Sequence, residues 1–120
     1  MDLITLLIGF IALEHLGFLI LEMFLWTKPL GRKIFSLSKE KAEASKALAA
    51  NQGLYNGFLS SGLWWSLIHP NPDISYQLSV FFLICIILAG IYGGYSVNKS
   101  IFFIQALPSV ITLILIQVLS

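Results

Sequence analysis

The chain contains few charged residues. Asp, Glu, Lys and Arg make up only 11% of its 120 residues, whereas soluble domains carry about 25%. Hydrophobic residues account for 58%, and the mean hydropathy is +0.88. A soluble fold of this length has no core large enough to bury so much apolar surface. The composition therefore excludes an ordinary soluble domain and predicts a protein of the lipid bilayer.

The familiar motifs of metal, phosphate and nucleophile sites are missing as well. The sequence contains no HExxH, Cys/His cluster, P-loop or GxSxG. Its single cysteine, Cys85, excludes an intrachain disulfide. His15 and His69 fall in different predicted elements, so we predict no metal site. A net charge of +1 argues against nucleic acid as a partner.

Four long apolar runs are present instead, at about 3–26, 48–68, 74–95 and 101–119. Each is close to the roughly 20 residues that a helix needs to cross a bilayer. The runs are continuous rather than alternating, which excludes a barrel of membrane strands. We therefore predict one all-α domain over residues 1–120, an integral membrane bundle of four transmembrane helices.

The basic residues predict the orientation of this bundle. Six of the seven lie between Lys28 and Lys46, and Lys99 lies in the third connection. The positive-inside rule places both connections in the cytoplasm, which puts the basic loop 27–47 inside and both termini outside. Within the loop, Pro29 and Gly31 are expected to end the first helix. Ser38 is expected to cap a helix that continues into the second run.

Under this topology, polar side chains from all four helices collect in the cytoplasmic half of the membrane. Glu22 lies near the inner end of the first helix, and Gln52 and Asn56 share one face of the second. A carboxylate at membrane depth needs donors. The amides of Gln52 and Asn56, and the hydroxyl of Tyr92 or Tyr95, are the candidates.

These groups predict a cytoplasm-facing pocket for a lipophilic molecule, in a small membrane enzyme or binding protein. Glu22 is the candidate acid or base, and Tyr92 or Tyr95 the candidate donor to a developing oxyanion. The other predicted ligand-binding residues are His15, Asn51, Gln52, Tyr55, Asn56, Lys99 and Gln105.

Two other classes of function stay open. Glu14 and His15, near the middle of the first span, would form the proton-coupled path of a small transporter or channel. Alternatively, the polar residues only join the helices through hydrogen bonds, each contributing about 0.6–2 kcal/mol, as in a structural or accessory subunit.

Two glycine pairs have the GxxxG spacing of closely packed membrane helices. They are Gly53 with Gly57 and Gly90 with Gly94. Since glycine has no side chain, each pair predicts a close contact between helix backbones, within one protomer or between protomers.

Several phrases resemble a known family. "ALEHLGFLILEMFLWTKPLGRKIF", "LAANQGLYNGFLSSGL", "AGIYGGYSV" and "IQALPSVITLIL" are similar to the bacterial membrane family catalogued as domain of unknown function 1304. The similarity covers essentially the whole chain. It implies a multi-pass fold in the bacterial inner membrane and implies no activity.

The order of parts also resembles the MAPEG superfamily, the membrane-associated proteins in eicosanoid and glutathione metabolism. Asn51 in "LAANQGLYNGFL" and Gln105 in "QALPS" match elements of that family. The resemblance implies a homo-oligomer, a trimer in most members, and glutathione or another thiol as the ligand. Ala49 and Leu54 stand where the family has His and Glu, and Lys99 is the nearest cation to its catalytic arginine. These departures favour a different ligand, lipophilic or conjugated to a thiol.

Overall fold

The computed structural model describes residues 2–119, and these form helices with no strand. The prediction of an all-α chain is confirmed, but the predicted number of four helices is wrong, since residues 2–119 form five. We number them α1 (Leu3–Met23), α2 (Pro29–Ile34), α3 (Lys39–Ile68), α4 (Pro72–Ser96) and α5 (Lys99–Leu119).

The helix that the sequence did not predict is α2, in the basic loop. Pro29 was expected only to end α1, which already ends at Met23; instead it occupies the first turn of α2, where its missing N–H costs nothing. The helix ends at Ile34, and Ser36, two residues later, has a left-handed φ of 53°. The N–H of Leu37 donates to the Arg32 carbonyl over 2.8 Å, as in a Schellman cap. The short helix thus begins at a proline and is followed by a residue in the left-handed conformation.

Helix α3 contains both the predicted loop helix and the predicted second run. Its 30 residues span about 45 Å. The backbone N–H of Lys41 donates to Ser38 Oγ over 3.1 Å, which confirms the predicted cap. Of the described helices, only α1, α4 and α5 are long and apolar enough to be candidate membrane spans. Asn51, Gln52 and Asn56 make the second run too polar to join them, so the predicted fourth span is not confirmed.

The last helix contains one wide turn. Residues Phe102–Ala106 form a π-helical turn, in which the N–H of Leu107 donates to the Phe102 carbonyl five residues back. Pro108 follows directly and has no N–H to donate to the preceding turn. We attribute the wide turn to this proline, because its ring crowds the turn before it.

The chain packs as two compact units. One is Leu13–Ser60, and the other joins the residues up to Ala12 with those from Ser61 onward. Each unit contains one of the two predicted glycine contacts. In the first, a Cβ built on Gly53 would lie 3.0 Å from Glu22 Cβ. In the second, a Cβ on Gly90 would lie 2.6 Å from the backbone nitrogen of Ala106. Both glycine pairs therefore mark close helix contacts within the chain.

Candidate functional site

The centre of the Leu13–Ser60 unit is one carboxylate held by two amides. Gln52 Nε2 donates to Glu22 Oε2 over 2.6 Å, and Asn56 Nδ2 donates to Glu22 Oε1 over 2.6 Å. We call these three residues the Glu22 cluster. The predicted hydrogen bonds from the two amides to a buried carboxylate are confirmed.

Helix geometry explains why these three side chains meet. Gln52 and Asn56 are four residues apart on α3, so their side chains lie one turn apart on the same face. Gly53, between them, brings the α3 backbone against the last turn of α1, where Glu22 is located. At this separation two short amide side chains reach both oxygens of one carboxylate. The glycine thus sets the distance that the hydrogen bonds require.

Burial differs among the three members of the cluster. Glu22 is 4% exposed and Asn56 is 6% exposed, whereas Gln52 is exposed. A carboxylate accepts hydrogen bonds readily, and a side-chain amide can make up to four of them. Gln52 is therefore the member that can bond to Glu22 and to a second molecule together.

The other predicted residues of this unit are close to the Glu22 cluster in the sequence, but they differ from one another in burial and contacts. Asn51 and Tyr55 are exposed on α3, and the Tyr55 ring packs edge-on against Phe58 with centroids 5.5 Å apart. His15 is fully buried, and its Nδ1 lies 3.7 Å from Glu14 Oε1. Its ring also contacts Phe18 edge-on, with centroids 5.1 Å apart. His15 and Glu14 thus form a pair of neighbouring residues on one helix.

The remaining predicted residues belong to the other unit. Tyr92 and Tyr95 are exposed on α4, at 71% and 90%, and Gln105 lies half-buried in the π turn. Tyr95 and Lys99 line the same cavity. The structure therefore brings Glu22 together with Gln52 and Asn56, and Tyr95 together with Lys99. One pocket lined by all of these residues stays a prediction, as do their catalytic roles.

The cavity beside Lys99 is the feature that sequence reasoning missed. It has a volume of about 250 Å³ and lies where the end of α4 meets the start of α5. Ile91, Gly94, Phe102 and Phe103 complete its lining, and we call it the α4–α5 groove. Apolar residues in a membrane helix give no signal of a groove. The sequence feature that could have indicated the groove was the isolated charge of Lys99 near a pair of phenylalanines.

The part of the chain between residues 2 and 119 contains no group of three or more His, Cys, Asp or Glu side chains placed to hold a metal ion. The Glu22 cluster has one acidic member and two amides. Its chemistry is therefore hydrogen bonding around a single carboxylate.

Comparison with known proteins identifies relatives over nearly the whole chain. The family model described as "Protein of unknown function (DUF1304)" matches residues 9–117. A curated protein of Lactococcus lactis subsp. lactis (strain IL1403), named "Uncharacterized protein YpaA", is 30% identical over 117 residues, covering 95% of this chain and 97% of the relative. No solved structure matches the chain. Because the family model covers α2 to α4 entirely and most of α1 and α5, the chain belongs to the DUF1304 family.

Proposed function

We propose that this chain is a bacterial inner-membrane protein that crosses the bilayer four times, with the basic loop 27–47 in the cytoplasm and both termini outside. Helices α1, α4 and α5 supply three crossings. The fourth is α3, whose residues 47–68 include no charged side chain. These residues span about 33 Å, enough for a hydrocarbon core of about 30 Å. The bonds from Gln52 and Asn56 to Glu22 lower the cost of placing their amides at this depth.

The function that the geometry supports best is binding of a lipophilic molecule with a polar head group, in the cytoplasmic leaflet, at the Glu22 cluster. The observation that carries this proposal is the use of both Glu22 oxygens by amides of α3. One such bond is enough to join two membrane helices. The second bond orients the exposed amide of Gln52 on the surface of its unit, where it can bond to a head group.

This arrangement favours binding over acid–base catalysis. A general base needs an oxygen within hydrogen-bond reach of its substrate, and Glu22 is 4% exposed, with both oxygens bonded to amides. In this proposal Glu22 therefore positions Gln52 and makes no contact with the ligand. The alternative, a small membrane enzyme with Glu22 as acid or base and Tyr92 or Tyr95 as donor, requires a substrate to reach this buried carboxylate.

Native mass spectrometry of the detergent-solubilised protein tests the proposal. At increasing collision energy the spectrum reports the number of subunits and the mass of any bound molecule. We expect an adduct on the wild-type protein and an occupancy about tenfold lower in Glu22→Gln, since a hydrogen bond to a charged group contributes more than one to a neutral group.

Two further variants serve as controls in the same experiment. Glu40→Gln changes an exposed acid in the first turn of α3, and Glu14→Gln changes the other acid of α1. Both should keep the adduct. An adduct that survives Glu22→Gln unchanged, or a wild-type protein with nothing bound, would contradict the proposal.

The spectrum also tests the predicted assembly. We propose a homo-oligomer in contact with membrane lipids, and the likeness to the MAPEG superfamily implies a trimer. A trimer that releases glutathione or another thiol would support that likeness. A monomer or dimer would contradict the likeness and the thiol ligand that it implies. The proposal for the Glu22 cluster would not be affected.

A second candidate function is proton-coupled transport through Glu14 and His15. The observation that favours it is the 3.7 Å separation between Glu14 Oε1 and His15 Nδ1, with the histidine fully buried. Proton flux into liposomes containing the protein distinguishes the two functions. Transport predicts that Glu14→Gln abolishes the flux and that Glu22→Gln does not. A structural or accessory subunit predicts that both variants change assembly alone.

A further inference from the structure

The charge distribution of α4 and α5 isolates one cation. Beyond Asp73 the only charged residue in the sequence is Lys99. Helix α5 has no acidic residue, and Asp73 lies in the first turn of α4, at the opposite end of that helix from the turn to α5. Lys99 is exposed, at the first position of α5. The positive end of the helix dipole is located there as well. Two positive features therefore coincide where the chain turns from α4 to α5.

The α4–α5 groove begins at this lysine and continues along apolar side chains. Of the residues that line it, Tyr95 and Lys99 are the nearest to the turn between the helices. Ile91 lies four residues before Tyr95 on α4, and Phe103 lies four residues after Lys99 on α5. Four helical residues correspond to about 6 Å along the axis. The groove therefore leads from a cation at the turn toward the middle of both helices.

The groove lies where the backbones of α4 and α5 approach each other closely. Gly94 has no side chain, and a Cβ built there would lie 2.7 Å from Phe102 Cβ. Phe102 opens the π turn, and its ring packs edge-on against Phe103 with centroids 5.3 Å apart. A π turn changes the direction of the side chains on either side of it, and such turns are frequent at functional sites. Here it places two aromatic rings along the wall of the groove.

The position of the groove relative to the bilayer follows from the two helices that form it. Both α4 and α5 are candidate membrane spans, so the turn between them lies at a membrane surface. Tyr95 and Lys99 then lie at head-group depth, and Ile91 and Phe103 lie in the adjoining hydrocarbon. At about 250 Å³ the groove is slightly smaller than the roughly 300–1,000 Å³ of small-molecule pockets. Its capacity matches part of one acyl chain.

We propose that the α4–α5 groove binds one anionic phospholipid, with its phosphate on Lys99 and the upper part of one acyl chain between Ile91 and Phe103. The unpaired charge selects an anionic head group, because Lys binds phosphate and a zwitterionic head group would bring a second positive charge close to Lys99. The apolar wall selects a lipid over a free anion. This site goes beyond the ligand proposed for the Glu22 cluster and is independent of it.

Retention of defined lipids by the delipidated full-length protein tests this site. Native mass spectrometry compares phosphatidylglycerol with phosphatidylcholine of the same acyl chains, and with glycerophosphoglycerol, which has the same head group and no acyl chain. We expect one phosphatidylglycerol per chain, retained about tenfold more than either competitor. Equal retention of the two lipids would show non-specific annular lipid. Equal retention of glycerophosphoglycerol would show that the groove holds no acyl chain. Either result would overturn the proposal.

Variants locate the binding. Lys99→Gln should reduce retention of phosphatidylglycerol to that of phosphatidylcholine, while Lys39→Gln, an exposed lysine of α3, should leave it unchanged. Ile91→Trp should fill the groove and lower retention about tenfold with no change of charge. Phe103→Ala, at a 60% exposed position that tolerates truncation, should lower it several-fold. Thermal unfolding establishes that each variant is folded.

Two outcomes would overturn the assignment of the groove. One is equal retention in Lys99→Gln and Lys39→Gln. The other is an Ile91→Trp variant that keeps its lipid but loses an oligomer, because the groove would then pack against a second copy of the chain. The readout of this site is retention of added phosphatidylglycerol that depends on Lys99, whereas the readout of the Glu22 cluster is a co-purifying adduct that depends on Glu22. Failure of one site and failure of the other are therefore separate results.

Discussion

The two units of this chain contain glycine pairs of identical spacing but different surroundings. Gly53 and Gly57 bring α3 against α1 beside a carboxylate and two amides. Gly90 and Gly94 bring α4 against α5 at a π turn, among apolar side chains. Helices α4 and α5 are candidate membrane spans by their own composition, whereas α3 is not. The spacing therefore specifies a close contact, and the neighbouring side chains decide what the contact does.

The comparison suggests different sources of stability for the two helix pairs. The α4–α5 pair is stabilised by close packing of the two backbones, since the atoms nearest to Gly90 belong to Ala106. In the α1–α3 pair a large part is the hydrogen bonding of Glu22. Three substitutions test this difference, in order of decreasing effect.

The largest effect is expected from Gly90→Ala. Its new Cβ would lie 2.6 Å from the backbone nitrogen of Ala106. A backbone cannot turn aside as a side chain does, so α5 must shift. We expect a loss of about 3 kcal/mol in the free energy of unfolding, at the upper end for overpacking, measured by denaturation in detergent. Gly9→Ala is the matched control, since nothing lies within 4 Å of a Cβ at Gly9. Equal stability of the two variants would contradict the close contact.

A smaller effect is expected from Glu22→Leu. The substitution leaves the buried amide of Asn56 without its acceptor, at a cost of about 2 kcal/mol. Replacing Asn56 by Leu in the same protein should restore most of the loss, because both hydrogen-bonding partners are then removed together. Additive losses in the double variant, measured by the same denaturation, would show that the two residues act independently.

The smallest effect is expected from Gly57→Ala. Its new Cβ would lie 2.5 Å from Leu19 Cδ1, the far end of a flexible side chain. Leu19 can change rotamer, so we expect a loss below about 1 kcal/mol. A loss as large as that of Gly90→Ala would remove the contrast between the two glycine pairs.

The sequence predicted features whose physical cause is local. The four-residue spacing of Gln52 and Asn56, together with a carboxylate near the end of α1, was enough to predict the bonds to Glu22. Ser38 was recognisable as a helix cap, and the glycine spacing was recognisable as a packing signal.

Other features depend on neighbours that a single stretch of sequence does not contain. Pro29 and Gly31 normally interrupt helices, so the short α2 between two turns was not predicted. The π turn depends on how α5 accommodates Pro108. The α4–α5 groove is lined by ordinary apolar and aromatic residues and forms beside the close contact of the two helices at Gly94. The predicted span over 48–68 depends on helix length and on composition together. The helix is present, but its composition does not place it among the candidate spans.

We propose that α3 crosses the membrane although its own hydropathy is low, because Glu22 accepts hydrogen bonds from the amides of Gln52 and Asn56. Labelling of single cysteines with a membrane-impermeant maleimide, in a Cys85→Ser background, tests the claim directly. Ala44→Cys lies before the uncharged part of α3 and Pro70→Cys follows its end. We predict that intact spheroplasts label Pro70→Cys and not Ala44→Cys, and that permeabilised cells label both. Labelling of both positions from the same side would show that α3 does not cross, and would contradict the account.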